Sequence, residues 1–139
     1  NRLKALHATP LFAGLGGHEL LPVASAVEVK KIPAGQALFH EGEPGDALWV
    51  LVSGEVSVEA GGKQLTTMRP PACFGEIALV DRSTRTASVV AASDVLALTL
   101  TADKFGVLVR QHGAIAMGVM RLLAERLRTA TAREIAGRE

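Results

Sequence analysis

Apolar residues recur along this chain with two different periods, and the period changes twice. At the start, Leu3 and Leu6, with His7 beside them, fall on one helical face. Pro10 interrupts among Leu11, Phe12 and Leu15, Gly16-Gly17 breaks again, and residues 18–26 resume a helical pattern through Leu20, Leu21, Val23 and Ala24. From Val27 the period becomes two: Val27, Val29 and Ile32 alternate with Glu28 and Lys30, the signature of a half-buried strand. Pro33-Ala34-Gly35 turns that strand, Ala37-Leu38-Phe39 makes a short one, and residues 41–46 are rich in turn formers. Residues 48–52 are a continuous apolar run, expected as a fully buried strand. Val56 and Val58 alternate with Ser57 and Glu59, Gly61-Gly62 is a hairpin signal, and residues 65–68 return. Pro70-Pro71 forces extended backbone. Residues 86–91 alternate once more, with Ala87, Val89 and Ala91 on one side, and residues 95–100 form the last strand. Short strands punctuated by Gly and Pro predict a barrel or sandwich.

The period then returns to that of a helix. Thr101 is a suitable N-cap for a helix through Lys104, Phe105, Leu108 and Val109. After Gly113 a longer helix is predicted over residues 114–133. Ala116, Met120, Leu123, Leu127 and Ala130 share one face of it, and Ile115, Val119 and Leu122 broaden the stripe. Its first half is expected to be buried. Beyond Leu123 the charges of Glu125, Arg126, Arg128, Arg133 and Glu134 predict a half exposed on one side. The order is helices, barrel, helices: residues 1–26, 27–100 and 101–136 of a single domain spanning 1–139.

Composition narrows the function classes. A chain of 139 residues, 48% hydrophobic and 21% charged, has enough apolar material for one folded core. Its net charge of +1 gives no electrostatic footprint for nucleic acid or an acidic membrane surface. The one cysteine, Cys73, excludes an internal disulfide and fits a reducing compartment. It reads as a small apolar residue rather than a redox group. No apolar run approaches the roughly 20 residues that span a bilayer, and no signal-peptide pattern is present. The chain opens on Asn1 rather than Met, which points to a segment of a longer protein. His7, His18, His40 and His112 are too scattered for a metal-holding barrel, and no Ser-His-Asp or Cys-His set has a recognisable context, so no enzyme is expected.

The chemistry concentrates in Phe74-Gly75-Glu76-Ile77-Ala78-Leu79, followed by Arg85-Thr86-Ala87. Gly75 permits backbone angles, or a close approach, that a Cβ would block. Glu76 to Leu79 reads as one short helical turn, whose first N–H groups lack internal partners. Arg85 adds a permanent cation with a planar fork of donors that matches phosphate. Glu76, when ionised, only accepts, so it suits a hydroxyl donor and repels phosphate. A ribose phosphate satisfies all of these groups together.

Taken together, these residues resemble the phosphate-binding cassette of cyclic nucleotide-binding domains, here residues 74–87. The likeness extends from about residue 10 to about residue 133 and includes the barrel glycines Gly35, Gly42, Gly45 and Gly54. Pro71 stands where the family often has glycine. The resemblance implies an α+β, mainly β fold: an antiparallel eight-stranded β-roll, or jelly-roll barrel, with short N-terminal helices, a short cassette helix and two C-terminal helices. It also implies the roles. Glu76 accepts from the ribose 2′-hydroxyl and Arg85 pairs with the cyclic phosphate. The N–H groups of Ile77 and Ala78, the Thr86 hydroxyl and the Ala87 amide complete the phosphate shell. Val58 and Leu65 line sugar and base, and the C-terminal helix around Arg128 and Thr131 covers the base. The ligand would be cAMP, favoured slightly over cGMP, with no other cofactor. The partners expected are this nucleotide, an effector domain of the parent protein and a second copy through the C-terminal helix, in a cytoplasmic setting or on the cytoplasmic side of a membrane protein. Two alternatives stand beside it: a degenerate barrel serving as a structural or interaction module, and the sensory half of a transcription regulator whose DNA-binding part lies elsewhere.

Overall fold

The computed structural model describes residues 2–9, 11–75 and 84–138. Helices α1 (Arg2–His7) and α2 (Gly17–Ala26) precede eight strands. These are β1 (Glu28–Ile32), β2 (Ala37–Phe39), β3 (Ala47–Ser53), β4 (Val56–Ala60), β5 (Lys63–Met68), β6 (Ala72–Phe74), β7 (Ser88–Ala91) and β8 (Val95–Thr101). Helices α3 (Ala102–Gln111) and α4 (Gly113–Arg138) follow. The short strand β6, which the prolines announced only as extended backbone, pairs antiparallel with β3 through Trp49 and Phe74.

The strands form two four-stranded antiparallel sheets, ordered β1-β8-β3-β6 and β2-β7-β4-β5. The first sheet is a middle layer, which explains its sequence. Leu48 and Val50 on β3, with Leu98 and Leu100 on β8, face a core built by Leu6, Leu20, Val23, Phe105, Leu108, Ile115 and Val119 of the helices and Phe12 of the turn after α1. Their neighbours Leu51, Val95 and Ala97 point the other way, into a second core shared with Leu38, Val56, Val89 and Ala91 of the other sheet. A strand covered on both faces has little use for polar residues, so residues 47–52 of β3 are all apolar and residues 95–100 of β8 hold one polar side chain, the buried Thr99. The outer sheet has one covered face; β5, on its edge, is exposed along nearly its whole length. β1 is likewise an edge, and Val29 is 45% exposed although Val27 just before the strand is buried.

The helix ends follow local chemistry. Thr101 Oγ1 accepts the Lys104 N–H at 3.3 Å and starts α3 as expected. Glu19 accepts the N–H of Gly16 at the start of α2, at 3.0 Å. The predicted face of α4 is corrected by the structure. Ile115 and Val119 are buried and Leu122 is half-buried, whereas Met120, Leu123 and Leu127 are 55%, 42% and 69% exposed. The covered stripe is therefore the one-residue-offset set, and the larger residues on the expected face look outward. The cause is a close crossing: a Cβ on Gly118 would stand 2.9 Å from the Leu11 carbonyl, so this glycine faces the turn after α1 and rotates Ile115 and Val119 inward with it.

Candidate functional site

The centre of the site is Arg85. It lies at the start of a short link into β7 and is only 9% exposed, unusual for an arginine. A strap, residues 40–46, connects β2 to β3 and holds the arginine backbone from both sides. The Arg85 N–H donates to the Glu43 carbonyl at 2.7 Å and Gly42 N–H donates to the Arg85 carbonyl at 2.8 Å, while Pro44 bridges Thr84. The strap is itself tied down. Glu41 N–H donates to Ser88 Oγ at 2.8 Å, and a Glu41 carboxylate oxygen accepts the Gly61 N–H of the β4–β5 hairpin at 3.1 Å. Backbone bonds of this kind fix where the Arg85 side chain must begin.

Among the described residues, three different contacts fix its far end. Nη2 donates to the Ala47 carbonyl at 2.7 Å. The guanidinium carbon lies 4.2 Å from the ring centroid of Phe39. Gly75, with φ of 81°, lets the guanidinium approach so closely that a Cβ there would sit 2.1 Å from Nη1. Gly75 is thus required twice, by its left-handed backbone and by the space the arginine occupies. Burial disfavours the charged guanidinium and lowers its pKa, while the charges of Asp46 and Glu43 pull in the other direction. Its Nε is buried and has no hydrogen-bond acceptor among the described residues. A buried, charged N–H without an acceptor is expensive to maintain. An anion placed beside Arg85 would satisfy it, and phosphate is the anion whose geometry the fork fits.

The surroundings add an apolar wall. Phe39 pairs with Val89, and Val89 with Val58, so these three side chains lie side by side across β2, β7 and β4. Trp49 is tilted against Phe39, ring centroids 6.3 Å apart. Among the described residues no group of three His, Cys, Asp or Glu is placed to hold a metal, and no helix is long and apolar enough to cross a membrane.

Comparison with known proteins decides the family. The model of the cyclic nucleotide-binding domain matches residues 29–112. The chain belongs to the cyclic nucleotide-binding domain family. It is a regulatory ligand-binding domain of that family, homologous to kinase regulatory subunits and cAMP receptor-like regulators. A cAMP-dependent protein kinase regulatory subunit of Hypocrea atroviridis is 35% identical over 72% of the chain, and the match covers 22% of that protein. The cyclic AMP receptor protein of Thermus thermophilus is 34% identical over 90% of the chain and 60% of its own length. The crystal structure of the N-terminal domain of a transcriptional regulator from Streptomyces coelicolor superimposes with a TM-score of 0.86 at 29% identity, covering 94% of both chains. The chain therefore spans between about one fifth and three fifths of the two relatives named.

Within this cyclic nucleotide-binding domain the structure brings together Gly75 and Arg85, and places Val58 half-buried on the wall beside Val89. Ala87 is half-buried and Thr86 exposed on the same link. Leu65 is 62% exposed on the edge strand, and Arg128 and Thr131 are exposed on α4, where every described side chain from Leu123 to Glu134 is exposed. Glu76, Ile77 and Ala78, with the short helical turn expected there, lie outside the described residues. Phe39 and the Ala47 carbonyl were not found by sequence reasoning. Nothing in their spacing connects them to Arg85; only the fold, through β2 and the strap, does.

Proposed function

We propose that this domain binds cAMP in preference to cGMP, with the cyclic phosphate on Arg85, and passes the binding event to an effector domain of its parent protein. The observation that carries the reading is the buried guanidinium whose Nε has no acceptor among the described residues, set beside a glycine that leaves it room. In this reading Glu76 accepts from the ribose 2′-hydroxyl, and the N–H groups of Ile77, Ala78 and Ala87 with the Thr86 hydroxyl complete the phosphate shell. Val58 and Leu65 line sugar and base, and Arg128 and Thr131 cover the base when the far half of α4 closes. The cAMP preference is supported by the names of the two relatives, one cAMP-dependent and one a cyclic AMP receptor.

Calorimetric titration of the domain with cAMP, cGMP and 2′-deoxy-cAMP tests the whole reading. cAMP binds most tightly, and loss of the 2′-hydroxyl costs about 1–3 kcal/mol because the Glu76 carboxylate is left without its donor. Equal affinities for the two adenine ligands would remove Glu76 from this role.

The parent is best read as a regulator in which this domain is the sensory part, on the likeness to an N-terminal domain of a transcriptional regulator. The exposed residues Met117, Met120 and Leu127 of α4 then offer a surface for a second copy of the chain. The compartment is cytoplasmic. Sedimentation of the domain with and without cAMP tests the pairing, which Leu127→Glu should abolish.

A further inference from the structure

We propose that Phe39 is a positioning residue for Arg85: its ring sets the plane and height of the guanidinium that takes the phosphate. The inference rests on the reading of Arg85 as the phosphate partner and extends it to a residue that touches the ligand only through the arginine.

The geometry is that of a clamp with three jaws. The ring of Phe39 lies under the guanidinium, 4.2 Å from centroid to carbon. The bare Cα of Gly75 faces Nη1, and the Ala47 carbonyl holds Nη2. Of these three only the Phe39 ring constrains the tilt of the guanidinium plane. A single hydrogen bond at Nη2 leaves rotation about that bond free, and glycine offers space, not attraction. A ring face attracts a cation most when it is partly desolvated, which is the condition of this buried arginine. The ring is itself held. Phe39 is half-buried, its strand is locked to β7 opposite Val89, and Trp49 is tilted against it with an interplanar angle of 52°. The stack reaches from Trp49 through Phe39 to Arg85, so the arginine fork is indexed to the barrel wall rather than to the link that carries it. Burial lowers the Arg85 pKa, and the two carboxylates whose charge opposes that shift, on Asp46 and Glu43, sit in the strap. An aliphatic side chain at position 39 would fill the same core space and leave the fork free to lean toward them.

The test is a double-mutant cycle on cAMP affinity, with Phe39→Met, Phe39→Leu and Phe39→Tyr each made alone and with Arg85→Ala. Phe39→Tyr keeps the ring and stays within about two-fold of the parent protein. The two aliphatic variants weaken binding by about three- to thirty-fold. In the Arg85→Ala background they add less than two-fold, because the group they act through is gone. The same factor in both backgrounds would overturn the proposal and make Phe39 a packing residue of the wall. An Arg85→Ala protein that binds like its parent would instead sink the phosphate reading of Arg85. Positioning is then decided without nucleotide, from the Nε–Hε signal of Arg85 in the NMR spectrum. Ring current shifts this signal upfield in the parent and in Phe39→Tyr, and the shift is lost in Phe39→Leu and Phe39→Met. A signal indifferent to the ring overturns the proposal whether or not any nucleotide binds. The thermal midpoint of each variant identifies any that fails to fold, and the remaining aliphatic variant then carries the comparison.

Discussion

Arg85 and Gly75 constrain one another, and their substitutions should fail in different ways. Arg85→Ala removes the cation from a buried site; losing one partner of a desolvated charge pair costs about 3–5 kcal/mol, so cAMP affinity falls 100-fold or more. Its fold should survive, since the strap is held by backbone bonds of Arg85 that alanine also makes. Circular dichroism alongside calorimetry checks both halves of that expectation. Gly75→Ala keeps the cation but meets Nη1 and the Ala47 carbonyl, where its Cβ would stand 2.9 Å away, and strains a backbone with positive φ. Stability should drop by about 1–2 kcal/mol and affinity by at least ten-fold, because the arginine must move. A Gly75→Ala protein with normal affinity would show that the guanidinium has a second usable position.

At the scale of elements, α4 has two halves with different rules. Ile115 is fully buried, so Ile115→Ala should cost about 2–5 kcal/mol in a denaturant melt. Leu127 is 69% exposed, and Leu127→Ala should cost under about 0.5 kcal/mol in the single domain. A large Leu127 effect would mean that this face is covered in solution. The exposed far half has few contacts to lose, so its local opening costs little, and ligand can bias it by whatever the base contributes to the closed form. Hydrogen exchange should show cAMP-dependent protection in residues 75–87 and again in about residues 123–131. Protection confined to the first segment would make α4 a passive strut.

The whole molecule shows which parts of this were legible in sequence. Period-two alternation located the strands with one wet face, and the apolar run at residues 48–52 marked one of the two strands with none. The cassette pattern from Phe74 to Ala87 pointed to a candidate site, and the structure sets two of its residues, Gly75 and Arg85, against one another. The stripe on α4 was misread by one residue, because Met120, Leu123 and Leu127 are as apolar as Ile115 and Val119 and only the crossing at Gly118 chooses between them. Phe39 was invisible for a related reason: a phenylalanine in a strand looks like core until the fold sets a guanidinium on it. Binding should also be felt globally. At cAMP 100-fold above its Kd the domain gains about 2.7 kcal/mol, a rise in Tm of roughly 8–12 °C that Arg85→Ala should erase in a thermal scan.

The pairing of β1 with β8 sets how the domain carries a load. Glu28 lies opposite Thr99 and Ile32 opposite Val95, so the chain enters and leaves this ladder at the same end. Tension between neighbouring domains would therefore pull the two strands apart crosswise, along their hydrogen bonds, and open them one rung at a time from Glu28 inward. A ladder loaded along its strands would have to break all its rungs together. β8 stays held on its other side by β3, so β1 is the strand that would peel away.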